Sequence, residues 1–107
     1  MVNSTNELKT DQNLAYVHKL FMNYQMHVES AISSYQQYFS KPKDSIIKNY
    51  KEQFELANNV KDDLIQGLEN LIKDTKGIGV SKVLEVDYAK KVISNYIEDS
   101  VNKILNL

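Results

Sequence analysis

The sequence predicts an all-α fold: three long antiparallel helices in an up-down-up bundle, with self-association able to complete its burial. Three observations predict it. Apolar residues recur at gaps of three and four over most of the chain, the repeat of a helix face. Helix breakers are scarce, since Pro42 is the only proline and Gly67, Gly77 and Gly79 are the only glycines. No two-residue alternation of useful length is present to make a strand. The 107 residues suffice for one domain and not for two. The expected division is a flexible N-terminal tail over 1–9 and one helical domain over 10–107.

The first helix is expected from Thr10 to Phe39. Leu14, Val17, Phe21, Tyr24, Val28, Ala31, Tyr35 and Tyr38 alternate gaps of three and four without a break, which makes a heptad seam. Leu20, Ile32 and Phe39 widen the stripe on one flank, as a helix with more than one neighbour requires.

The second helix is expected from Lys43 to Lys76. Ser40 or Asp44 is its candidate cap, with Pro42 in the first turn, where a missing N–H costs nothing. Its stripe is Ile47, Tyr50, Phe54, Ala57, Val60, Leu64, Leu68 and Leu71, flanked by Ile46, Ile65 and Ile72. The step from Ala57 to Val60 breaks the heptad and disfavours a long regular coiled coil. Lys73 and Lys76 suit the negative helix end, and Gly77 is a natural terminator. Gly67 costs about 1 kcal/mol relative to Ala in mid-helix, and either allows a close contact or is tolerated.

Gly77-Ile78-Gly79 reverses the chain, and the third helix is expected from Ser81, as N-cap, to Leu105. Val86, Ala89, Ile93, Tyr96 or Ile97, Val101 and Ile104 form its stripe, with Leu84, Tyr88 and Val92 on an adjacent strip. Helices of this length span roughly 40 Å, and short connections make them antiparallel.

Composition narrows the function classes. The basic residues are all Lys, 13 against 14 acidic ones, with no Arg and no basic stripe. Arg forks are the usual readers of phosphate and base edges, so nucleic acid is not an expected partner. There is no Cys, which excludes disulfides, thiolate metal sites and cysteine nucleophiles. The polar start, Met1 to Lys9, lacks a signal-peptide core, and no apolar run approaches a membrane span. A cytoplasmic protein is expected. Lys without Arg, with much Asn, Ile and Tyr, is the composition of an AT-rich bacterial genome.

No catalytic or metal constellation emerges. His18 and His27 are nine residues apart, about 180° round a helix, and cannot share a metal. No Glu-x-x-His pair, phosphate loop or nucleophile elbow is present. Adjacent acids such as Asp62-Asp63 and Glu98-Asp99 splay apart by about 100° and suit a solvated face. The chain is therefore expected not to be an enzyme and to carry no cofactor.

The first helix is unusual on its polar side. Between Gln12 and Ser40 only Lys19 and Glu29 are charged, the remaining polar residues being amides, hydroxyls and the two His, and four of the seven tyrosines lie there. Uncharged polar groups and tyrosine rings lose less on leaving water than charges do. Charge depletion with Tyr and Met is the composition of an interface. Two readings stay open. Either this helix contacts a partner, a second copy or an apolar particle, or it is the central helix covered by the other two.

The last two helices resemble a phasin, one of the small helical proteins that coat bacterial polyhydroxyalkanoate granules. The resemblance lies in a long helix, Asn59-Val60-Lys61-Asp62-Asp63-Leu64 onward to Lys76, and a short break. A capped amphipathic segment then follows, Ser81-Lys82-Val83-Leu84-Glu85-Val86-Asp87-Tyr88-Ala89-Lys90-Lys91. It covers about two-thirds of the chain, which is shorter and poorer in Ala than many phasins. It implies a non-catalytic coat protein that adsorbs to the hydrophobic polymer granule. The residues assigned to contact are Leu14, Val17, Leu20, Phe21, Tyr24, Val28, Ile32, Tyr35 and Phe39, for which ordinary core is the competing role. The alternative class is a helical protein-interaction module, an adaptor or secretion- or phage-type partner, that binds another helix through the first-helix seam. A homo-oligomer, including a four-helix assembly of two chains, suits either class.

Overall fold

The computed structural model describes residues 4–73 and 78–106, and it is all α among them. Helix α1 spans Ser4–Ser40, α2 spans Asp44–Lys73 and α3 spans Val80–Leu105. The particle measures 61 × 19 × 14 Å, with a radius of gyration of 17.2 Å. A compact chain of this length has about 13 Å, so the core is a long thin seam.

Helix α1 begins at Ser4 rather than Thr10, taking in residues 4–9 that the sequence suggested as tail. It is held from that side: Thr10 is fully buried, and Asp11 pairs with Lys82. Between α1 and α2 the Lys43 carbonyl accepts from the backbone N–H groups of Ile46 at 3.0 Å and Ile47 at 3.3 Å. The bonded turn therefore starts at Lys43. Pro42 lies in the connection and not in the first turn, and Ser40 is the last residue of α1. Asp44 opens α2 and Lys73 closes its described part, both favourable to the helix dipole. Lys76 and Gly77, the expected end of α2, lie outside the described residues. At α3 the expected Ser81 cap is corrected. Gly79 is the N-cap, with extended backbone and no side-chain cap bond, and its carbonyl accepts from Lys82 and Val83 at 3.1 Å each.

The α1 and α2 backbones approach closely along their length, while α3 meets this pair at few such places. Cross-contacts run in opposite order along α1 and α2: Val17 lies at Gly67, His27 bonds Gln53, and Ser34 bonds Asn49. Small residues permit the approach, since Ala31, Ser34, Ala57 and Gly67 are all buried. Gly67 belongs to a close contact: a Cβ there would stand 2.9 Å from Val17 Cγ2. Helix α3 is joined to α1 by side chains, in ascending order on both: Asp11 to Lys82, Phe21 to Tyr96, Tyr24 to Ser100.

The core is Val17, Tyr24, Val28, Ala31 and Ile32 of α1, Ala57, Leu64, Leu68 and Leu71 of α2, and Val86 and Ile93 of α3. The seam residues of α1 read from the sequence are all buried or half-buried. Helix α2 buries Ala57, Leu64, Leu68 and Leu71 of its stripe and half-buries Ile47, Tyr50, Phe54 and Val60. Helix α3 buries Val86 and Ile93 while leaving Leu84, Tyr88 and Val92 exposed.

Candidate functional site

The nine residues assigned to surface contact divide into three groups. Val17, Tyr24, Val28 and Ile32 are core, with Val17 only 1% exposed. Leu14, Leu20 and Phe21 are half-buried and pack against that core. Tyr35 is half-buried within an aromatic chain, its ring centroid 5.1 Å from Phe39 and 5.2 Å from Tyr50, which is 6.1 Å from Phe54. Phe39 is 71% exposed. The structure thus brings eight of the nine to one inward face and leaves Phe39 at its end. The α1 seam meets helices of the same chain, α2 at Val17 and α3 at Phe21 and Tyr24.

Polar groups on this face are satisfied. Ser100 Oγ donates to the Ile97 carbonyl at 2.9 Å, so the Tyr24 hydroxyl donates to Ser100 Oγ at 2.7 Å. Tyr96 stands edge-on to both Phe21 and Tyr24, at 5.3 and 6.0 Å. Burial, with the nearby Glu29 and Tyr24, pushes the Tyr96 phenol above its ordinary pKa. His27 Nδ1–H donates to Gln53 Oε1 at 2.8 Å, a structural bond between α1 and α2. His18 is exposed. Among the described residues no group of His, Cys, Asp or Glu is arranged to hold a metal ion. No described helix is long and apolar enough to cross a membrane.

The uncharged back of α1 is only partly covered. Met22 and Met26 are exposed beside Ser30 and Ser33, in a shallow depression that Glu29 borders.

Two surfaces whose apolar residues, Val80 apart, are named in the sequence reading but given no role there are more distinctive. The first is a groove of about 340 Å³ between α2 and α3. Ile65, Leu68, Ile72 and Ile97 line its floor, and Glu69, Lys90, Ser94 and Glu98 its rim. A smaller depression of about 110 Å³ continues it towards Phe54, Ala57 and Val101, with Lys61 beside it. The signal for this groove was Ile65 and Ile72, seven residues apart on the flank of the α2 stripe. The second is the outer side of α3. Val80, Leu84 and Tyr88 follow one another at four-residue steps, and are 76%, 63% and 71% exposed. They stand away from the buried Val86 and Ile93, so the first half of α3 is apolar on two faces.

Compared with known protein families, curated proteins and solved structures, the chain matches none of them.

Proposed function

We propose that the protein is a non-catalytic cytoplasmic coat protein, an up-down-up three-helix bundle that adsorbs to an apolar particle. A polyhydroxyalkanoate granule is the surface that the phasin resemblance implies. The observation that carries the reading is the outward row Val80, Leu84 and Tyr88. A helix with a buried face and a second apolar face turned to water is suited to lying on an apolar boundary. Glu85, Asp87 and Lys91 lie beside that row and keep the coated particle charged.

The row is a better contact than the α1 seam. Exposing Val17, Tyr24, Val28 and Ile32 costs about 1.5–3 kcal/mol each, of order 6–12 kcal/mol together, before any polymer is touched. That is comparable to the whole stability of a small domain. Adsorption through α3 needs no such opening.

Co-sedimentation with polyhydroxybutyrate particles, with hydrophilic beads as control, tests the reading. Saturable, salt-resistant binding to the polymer alone is expected. It should fall at least about tenfold for Leu84→Asp with Tyr88→Asp, a loss of about 1.4 kcal/mol or more. A helical double variant that binds as before refutes the assigned face, and absence of wild-type binding refutes the coat reading. A second reading, a helical protein-interaction module, is favoured by the α2–α3 groove, whose apolar floor and charged rim suit a docked helix.

A further inference from the structure

The α2–α3 groove has a charge order that says what fills it. At one end its rim carries the acid on α2, Glu69, and the base on α3, Lys90. Towards the other end the signs exchange: Lys61 is on α2 and Glu98 on α3. A two-fold axis parallel to the helices lays α2 of one copy over α3 of the other at the same level. Glu69 then faces Lys90 of the second copy, and Lys61 faces its Glu98. Each pairing occurs twice, and no like charges meet at these positions. Laying α2 over α2 takes a two-fold axis across the helices, which inverts the level. Centred on the groove, it pairs Glu69 with Lys61 and Lys90 with Glu98. Mixing the Glu69→Lys and Lys90→Glu variants would then restore nothing.

We infer that a second copy of this chain docks groove to groove, with α2 over α3, and closes a four-helix layer in which every neighbour is antiparallel. The floor supplies the apolar contact. Ile65 is 41% exposed and Ile72 is 43% exposed, on either side of the buried Leu68. Ser94 is small enough to let the α3 rim approach the second copy. From Phe54 to Ile72 the lined face runs about 27 Å along α2. Two helices wide, roughly 20 Å, it offers about 540 Å² per copy. That is about 1,080 Å² in total, at the lower end of specific interfaces, where weak and reversible association is the rule. Leu84 is about 120° round α3 from Lys90, so the outward row stays open to a particle in the dimer. The inference is independent of the coat reading.

The test is sedimentation velocity of the full chain over a concentration series. A reversible monomer–dimer equilibrium is expected. Ile65→Asp, at a half-exposed position, should weaken it at least about tenfold while circular dichroism stays unchanged. Glu69→Lys and Lys90→Glu should each weaken self-association by a similar factor. Mixing these two variants should restore dimers. The lysine introduced on α2 of one chain then meets the glutamate introduced on α3 of the other, while native Lys90 meets native Glu69. An effect confined to one folded chain produces no rescue on mixing. A chain that stays monomeric at hundreds of micromolar overturns the inference. So does a dimer that neither charge reversal weakens, or one that mixing fails to restore.

Discussion

Replacing Gly67 with Ala sets two opposing terms against each other, and the structure decides the sign. In an open helix the change stabilises by about 1 kcal/mol, because Gly is the poorer helix former. Here the added methyl would stand 2.9 Å from Val17 Cγ2. Carbon atoms pack comfortably at about 3.5–4.0 Å, so something must move by more than half an ångström. Val17 is 1% exposed and its branched side chain is stiff at χ1, so the strain passes to the spacing of α1 and α2. Overpacking of this kind costs about 1–3 kcal/mol. The net expectation for Gly67→Ala is a loss of up to about 2 kcal/mol. Val17→Ala alone leaves a cavity and should cost about 2–3 kcal/mol. With both substitutions present, the methyl added on α2 moves into the space that the valine vacated. The double variant should then be more stable than the sum of the singles by at least about 1 kcal/mol. Urea unfolding followed by far-UV circular dichroism, at one low protein concentration, measures all four corners of this cycle. A Gly67→Ala variant stabilised by the full propensity term refutes the close-contact argument. Additivity within about 0.5 kcal/mol refutes it as well.

Other expectations follow from the same core. Tyr24→Phe leaves Ser100 bonded to the Ile97 carbonyl and should cost about 0.5–1.5 kcal/mol. Ser100→Ala strands the buried Tyr24 hydroxyl and should cost about 1–3 kcal/mol, so the reverse ranking in denaturant melts contradicts the assigned donor. Leu64→Ala, at a fully buried position, should destabilise by about 2–5 kcal/mol in the same assay. The Tyr96 phenol is held above its ordinary pKa first by burial, so the unfolded chain ionises earlier. Its contribution is present below the unfolded tyrosine value and declines as pH rises through the folded one. Lys82 is raised as well, first by its hydrogen bond to Asp11 and then by that to Glu85, and its contribution is lost in the same direction. Stability should therefore fall at alkaline pH. An ultraviolet phenolate titration should lose a late-ionising component in Tyr96→Phe; an unchanged profile rules out the assignment.

Periodicity alone made the three helices legible, because a 3.6-residue repeat is a local property that neighbours do not alter. It also picked out the α1 seam but not its role: Val17, Tyr24 and Val28 stand at heptad positions, which suit a partner contact or a core alike, and in the structure they are buried. Helix ends were less legible. Ser81 has the chemistry of a cap, but Gly79 occupies the cap position, since the bonded turn starts where the chain leaves its reversal. Charge-free α1 was read as a surface or a central helix, and composition cannot separate these, because amides and hydroxyls suit both.

What the sequence by itself determined is the helical class, the short connections and the absence of cysteine chemistry, all properties of residue order or count. Only the tertiary structure decided which helix answers the α1 seam. Small residues on α1 and α2 let those two backbones close up, while α3 meets them through larger side chains such as Tyr96. That unequal spacing opens the groove between α2 and α3 and turns Val80, Leu84 and Tyr88 outward. Both surfaces depend on distances between helices, which side-chain volumes set only once the helices are packed.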